Sequence, residues 1–210
     1  METTRTAGEA ALARRLQEGD GAAFSEIVHR HHASMVRVAS TFVRSRPEAE
    51  DVVQETWLAV VKGVAGFEGR SSLRSWIFAI LVNKARTHAV KESRSAASPL
   101  PVEDLESGAG GVPADRFVGR PGRGAWRDPV ADWQDDPQLH LESAQTLAVV
   151  LSAVEDLPPR RRQVLVLRDV EGWSAAEVAE LLDISDGNQR VLLHRARNAL
   201  RLRLEKELGR

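Results

Sequence analysis

The 210-residue chain contains no cysteine, which excludes disulfides, thiolate metal sites and cysteine nucleophiles and fits a reducing compartment. No apolar run approaches the roughly 20 residues that span a bilayer. The first twenty residues, METTRTAGEAALARRLQEGD, scatter charges where a secretion signal carries an apolar core. Neither secretion nor membrane insertion is expected, and the cytoplasm is the expected compartment. The sequence also lacks internal repeats and the β-rich alternation that strands need, which leaves helices. No serine, histidine and acid are spaced for catalysis, so no enzymatic activity is expected. The glycines of GAGG, Gly108 to Gly111, lack the lysine and serine or threonine of a phosphate loop. His29, His31 and His32 in HRHH do not share one helix face and have no carboxylate or thiolate to complete a tetrahedral set. No metal and no cofactor are expected.

What the chain does have is segregated charge. Its formal net charge is -1, but a sum hides its distribution. Acid gathers in PEAEDVVQE and from Glu103 to Glu142, while base gathers at Lys84 to Arg94, at Arg160 to Arg162 and along Arg190 to Arg203. A basic end and an acidic centre imply two different partners.

Helical periodicity dominates the first 95 residues. In AAFSEIVHRHHASMVRVASTFV the apolar residues Phe24, Ile27, Val28, Met35, Val38 and Phe42 form a stripe and predict one helix. It ends before RSRPEAE, where Pro47 suits the first turn of the next helix and Glu48, Glu50 and Asp51 suit its positive end. That second helix runs to about Gly63. After the loop GFEGRSS, Ser71 or Ser72 can cap a third helix, LRSWIFAILVNKARTHAVKESR. From Ser95 to about Pro137 the period collapses and prolines and glycines concentrate, as expected of a flexible tether between two domains. Helical pattern resumes at Leu139. The expected fold is therefore all-α: an N-terminal helical bundle, residues 1–95, an acidic linker, residues 96–138, and a C-terminal four-helix domain, residues 139–210.

The C-terminal domain ends in a helix-turn-helix pattern. Ser174 and Glu177 form a capping box at the start of a helix whose Val178, Leu181 and Leu182 face a core. DIS is a short turn, and Ser185 can cap the second helix. Gln189, Leu193, Ala196 and Leu200 would line the inner face of that helix. Its outer face then offers Asn188, Arg190, Val191, Leu192, His194 and Arg195, with Arg197, Arg201 and Arg203 further on. Amide and guanidinium groups at such a position read base edges in the major groove, aliphatic groups touch thymine methyls, and later arginines meet phosphates.

The phrases LPPRRRQVLVLRDVEGWSAAEVAELLDIS and LLHRARNALR resemble the promoter-binding domain of bacterial RNA polymerase sigma factors of the extracytoplasmic-function (ECF) group, in the sigma-70 family. EAEDVVQETWLAVV and FEGRSSLRSWIFAILVNKAR independently resemble the second conserved region of the same family. The two resemblances cover about residues 20–95 and 139–205, in the same order. They imply a sigma factor that binds core RNA polymerase at its clamp and flap, reads promoter DNA, is held by an anti-sigma protein and is a monomer in the holoenzyme. Asp51, Gln54, Glu55 and Leu58 would form the polymerase-binding face, opposite Val53, Trp57, Val60 and Val64. Arg70, Ser71, Ser72, Arg74, Trp76, Asn83 and Arg86 would hold the melted minus-ten element, along a stripe of Ser75, Ala79, Asn83 and Arg86. Trp76 reads equally as a core tryptophan. Asn188, Arg190, Val191, Leu192, His194, Arg195 and Arg197 would read the minus-thirty-five element. Asp115, Asp128, Asp132, Asp135 and Asp136 would let the linker occupy a nucleic-acid channel, anchored by Trp126 and Trp133.

The chain departs from the family at Val191 and Leu192, where polar residues are commoner, and at Gln189, where an aliphatic residue is commoner. Its minus-thirty-five preference is therefore its own, and the aliphatic pair favours thymine methyls. No sensory module follows the helix-turn-helix before Arg210, so regulation is expected from outside. The rival reading is a one-component helix-turn-helix regulator that dimerises on symmetric operators. Such a protein has no use for the acidic AEDVVQE face.

Overall fold

In a computed structural model the described residues are 2–95, 117–118, 125–126 and 149–207, with side chains described for 8–92 and 149–207. The first helix, α1 (Glu2–Gln17), was not predicted from the sequence. It buries Leu12, Ala13 and Leu16. Asp20 separates it from α2 (Gly21–Ala39), accepting hydrogen bonds from the Ala22 and Ala23 amides at 2.8 and 3.2 Å. The predicted stripe runs past the end of α2, because Ser40 and Thr41 turn their hydroxyls back onto the Val36 and Val38 carbonyls at 2.8 and 2.7 Å. Phe42 thus lies beyond the helix.

Ser45 caps α3 (Arg46–Gly63), and Pro47 sits in its first turn as expected. A 3-10 turn, Val64–Gly66, follows, and then α4 (Leu73–Ser95). Of the two candidate caps the chain uses Ser72, whose Oγ accepts from the Ser75 amide at 3.0 Å. The core of this part is mainly apolar: Ile27, Met35, Val38, Val52, Val53, Ile77, Phe78 and Leu81 are each no more than 1% exposed. Phe24 meets Trp57 edge to face, ring centroids 5.9 Å apart.

The C-terminal region holds α5, described over residues 149–155, and α6 (Pro159–Leu165), which widens into a π-helical turn over Val166–Val170. Next come α7 (Ala175–Leu182) and α8 (Asp186–Glu207). The predicted capping box is formed: Ser174 Oγ accepts from the Glu177 amide at 3.3 Å, and Glu177 Oε2 accepts from the Ser174 amide at 2.8 Å. Asp183 closes α7 at φ 53, the left-handed conformation in which many helices end, and Ser185 accepts from the Asn188 amide at 3.2 Å to start α8. The described extended pairing is one two-residue ladder, Phe117 opposite Trp126 and Val118 opposite Ala125, so the architecture is all-α.

By its contacts the chain divides into two units, residues 1–102 with 163–190 and residues 103–162 with 191–210. In the first, the π-turn packs on α2 and α7 packs on α4. In the second, Arg203 reaches Asp156 at 3.8 Å and Arg162 donates to the Glu155 carbonyl at 3.3 Å. Asp115, Asp128, Asp132, Asp135, Asp136 and Trp133 lie outside the described residues, and only the backbone of Trp126 is described.

Candidate nucleic-acid interface

Three surfaces answer to the sequence expectations. On α3 the face Asp51, Gln54, Glu55 and Leu58 is exposed throughout, while Val53, Trp57, Val60 and Val64 are buried. Glu55 is paired with Lys84 of α4 at 3.3 Å. Leu58 is 62% exposed, and Val61, three residues on and also outward, is 55% exposed. Sequence reading missed Val61, although its spacing from Leu58 was the available signal. An acidic rim beside two bare aliphatic side chains suits a partner surface that is basic and partly apolar.

The loop and α4 form the second surface. Arg70, Ser71 and Ser72 are exposed, and Arg70 pairs with Glu68 at 3.2 Å. Ala79 and Asn83 are exposed, while Ser75 and Arg86 are half-buried, so the expected stripe is open along its middle. Trp76 is neither a core tryptophan nor a free one. It is half-buried, with its ring 5.2 Å from that of Phe67 and packed on Gly63, where an added Cβ would lie 3.4 Å from it.

Arg74 is engaged by a segment almost a hundred residues away. Its guanidinium lies 4.0 Å from the centroid of the Trp173 ring and 5.7 Å from that of Phe78, and it donates to the Glu171 carbonyl at 2.8 Å. The Glu171 carboxylate, 6% exposed, accepts from Arg37 Nε at 2.7 Å and from the Ser34 hydroxyl. Arg86 Nη2 donates to the Leu181 carbonyl at 3.4 Å. Two of the three arginines assigned to the minus-ten element, Arg74 and Arg86, thus hold backbone carbonyls of the segment 163–190.

His31 borders this cluster, 6.2 Å from the Phe78 ring. Burial, followed by the charges of Arg74 and Arg30 and opposed by Glu171, pushes its pKa down to about 4. The unfolded imidazole, at the ordinary value of about 6.5, therefore takes up its proton first as pH falls. Stability from this group is intact above about pH 6.5 and is lost towards pH 4. Because His31 is only half-buried, we expect the loss to be about 1–2 kcal/mol. Urea unfolding at pH 7 and pH 4.5 measures it, and His31→Gln should flatten the difference by that amount; an unchanged difference would refute the assignment.

The third surface is α8. Asn188, Arg190, Val191, His194 and Arg197 are exposed, Val191 by 46%, and Arg195 is half-buried. Arg190 pairs with Asp186 at 2.6 Å. Leu192 is a correction: it is 4% exposed and belongs to the inner face with Gln189, Leu193 and Ala196. Those four recur at three, four and seven residues, the period of a buried helix face, so Leu192 cannot reach a groove. Of the aliphatic pair only Val191 can meet a thymine methyl.

A helical chain ending in a capped helix-turn-helix, with exposed amide and guanidinium groups on its last helix, has the build of a DNA-binding protein. Comparison with known families makes this specific. The family model Sigma-70 region 2 matches residues 27–95 and Sigma-70, region 4 matches residues 147–200, together more than half of the chain. The ECF RNA polymerase sigma factor SigG of Mycobacterium tuberculosis is 38% identical over 161 residues, 73% of this chain but 41% of that protein. The chain thus spans about two fifths of the length of that relative. The ECF RNA polymerase sigma-E factor of Escherichia coli is 28% identical over 193 residues, 90% of each chain. The chain belongs to the ECF group of the sigma-70 family.

Solved structures share the fold. CnrH, determined in complex with the cytosolic domain of CnrY, superposes with a TM-score of 0.59 at 22% identity, over 95% of this chain and 98% of CnrH. The sigma factor RpoE of Bartonella quintana, determined with the anti-sigma factor NepR, gives 0.58 at 20% identity, over 88% and 98%.

Proposed function

We propose that the chain is an alternative sigma factor that binds bacterial core RNA polymerase, directs it to specific promoters and helps melt the minus-ten element. The observation that carries this reading is the α3 face of Asp51, Gln54, Glu55 and Leu58, exposed in the segment that matches region 2. A DNA-binding regulator acting alone has no use for it. In this reading that face meets the polymerase clamp, with Val61 extending it, and the C-terminal helices meet the flap.

Residues 1–95 act as the polymerase and minus-ten module, residues 139–210 as the minus-thirty-five module, and residues 96–138 as the linker between them; the matched segments 27–95 and 147–200 support this division. Arg70, Ser71, Ser72 and Asn83 take the phosphates and bases of the melted strand, and Trp76 offers the exposed part of its ring to a base. Arg74 and Arg86 join them once they leave the carbonyls of Glu171 and Leu181. Asn188, Arg190, Val191 and His194 read base edges of the minus-thirty-five element, with Arg195 and Arg197 on phosphates.

The protein is an initiation factor with no catalytic step of its own, works in the cytoplasm and is a monomer within the holoenzyme. No helix among the described residues is long and apolar enough to cross a membrane. An anti-sigma protein is the proposed regulator, since the sigma factor RpoE, which shares this fold, was determined with the anti-sigma factor NepR. Co-elution with core polymerase in gel filtration tests the proposal.

A further inference from the structure

At the far end of the α3–α4 pair from the loop, Glu48 in the first turn of α3 faces His88 and Glu92 of α4. Each offers a ligand atom, and the three atoms lie within 4.8 Å of one another. All three side chains are half-buried, neither sealed in the core nor fully in solvent. His88 and Glu92 are four apart and share one helix face, the spacing by which a helix presents two ligands to one ion. A second observation points the same way: His88 Nδ1 is shielded from solvent and has no hydrogen-bond partner. An imidazole that lies beside two carboxylates and has a shielded, unpartnered ring nitrogen is available as a ligand.

We propose that Glu48, His88 and Glu92 bind a divalent transition-metal cation, for which Zn2+ is the best match. Two carboxylates and one imidazole suit its borderline character, and three protein ligands leave a fourth tetrahedral position for water. The surroundings orient the carboxylates as metal sites require. Glu48 Oε1 accepts from the Ser45 hydroxyl at 2.9 Å and Oε2 from the Arg44 amide at 3.1 Å, each leaving a lone pair free. Glu92 is steadied by Arg44 at 3.3 Å, a cation that a metal ion must displace from its ligand. Around a tetrahedral ion the three atoms would close to about 3.4 Å apart. The bound ion would clip the start of α3, the helix that carries Asp51, Gln54, Glu55 and Leu58, to the last turns of α4. The site stands independently of the sigma-factor reading.

The experiment uses the full, tag-free chain. ZnCl2 is titrated by calorimetry, Co2+ is followed by its visible absorption, and thermal unfolding is recorded with and without Zn2+. We expect one Zn2+ per chain, a tetrahedral Co2+ spectrum, and a melting temperature that rises with Zn2+ concentration. His88→Gln and Glu92→Gln should each weaken binding by about tenfold or more, while His29→Gln, at an exposed position on α2, should not. Circular dichroism checks that the variants fold, and Glu48→Gln is a third variant should either of the others fail. No Zn2+ binding by the wild-type chain, or binding unchanged in every folded variant, would overturn the proposal.

Discussion

Trp173→Ala is expected to lower the unfolding free energy by about 3–5 kcal/mol. Trp173 is 1% exposed, and its ring is the surface on which α4 meets the segment before α7. Phe78 packs on it edge to face at 4.9 Å and the Arg74 guanidinium lies over it at 4.0 Å. Alanine would leave a cavity lined by Phe78 and strip the guanidinium of its stacking partner at one stroke. Trp173→Phe separates ring packing from the indole N–H. Trp173 Nε1 is buried and has no hydrogen-bond partner, so phenylalanine keeps most of the packing while removing an unsatisfied donor. We expect it to cost about 1 kcal/mol or less. Urea midpoints of the two variants decide this, and equal losses would show that packing is not what Trp173 contributes.

Reversing the charge of Glu171 is expected to cost about 3–5 kcal/mol, because it replaces a buried, paired carboxylate with a cation facing Arg37. Glu171→Gln keeps the shape and most of the hydrogen bonding, and should cost about 1–2 kcal/mol. Arg37→Glu combined with Glu171→Arg should recover a large part of the loss, since the pair is restored with its sense exchanged. A double variant no more stable than Glu171→Arg alone would show that burial, not pairing, sets the cost. The same contacts bear on function. Arg74 and Arg86 cannot grip a melted strand while they donate to the carbonyls of Glu171 and Leu181.

The α3 face was legible in the sequence because helical spacing alone separates Asp51, Gln54, Glu55 and Leu58 from Val53, Trp57 and Val60. The caps at Ser174 and Ser185 were legible for the same reason, and that of α4 as far as Ser71 or Ser72: a cap is a local event, written in adjacent residues. α1 was not, because Leu12, Ala13 and Leu16 are few and lie among charges, and its apolar stripe gains meaning only beside the helices it packs on. Leu192 was misplaced by taking the inner face of α8 at four, three and four residues, when Gln189, Leu192, Leu193 and Ala196 define it more compactly. Trp76 stayed ambiguous because half-burial against Phe67 and Gly63 is a tertiary outcome. The engagement of Arg74 and Arg86 was beyond reach of any local pattern, since each partner lies more than ninety residues away along the chain.

The central claim is that the α3 face is made for core RNA polymerase. Its most direct test is gel filtration of the purified chain with bacterial core enzyme, run beside an Asp51→Arg variant that is shown to be folded. The account predicts that the wild-type chain co-elutes with the core and that the variant elutes alone. A wild-type chain that ignores the core, runs as a dimer and shifts duplex DNA by itself would contradict it and favour a regulator that works without polymerase.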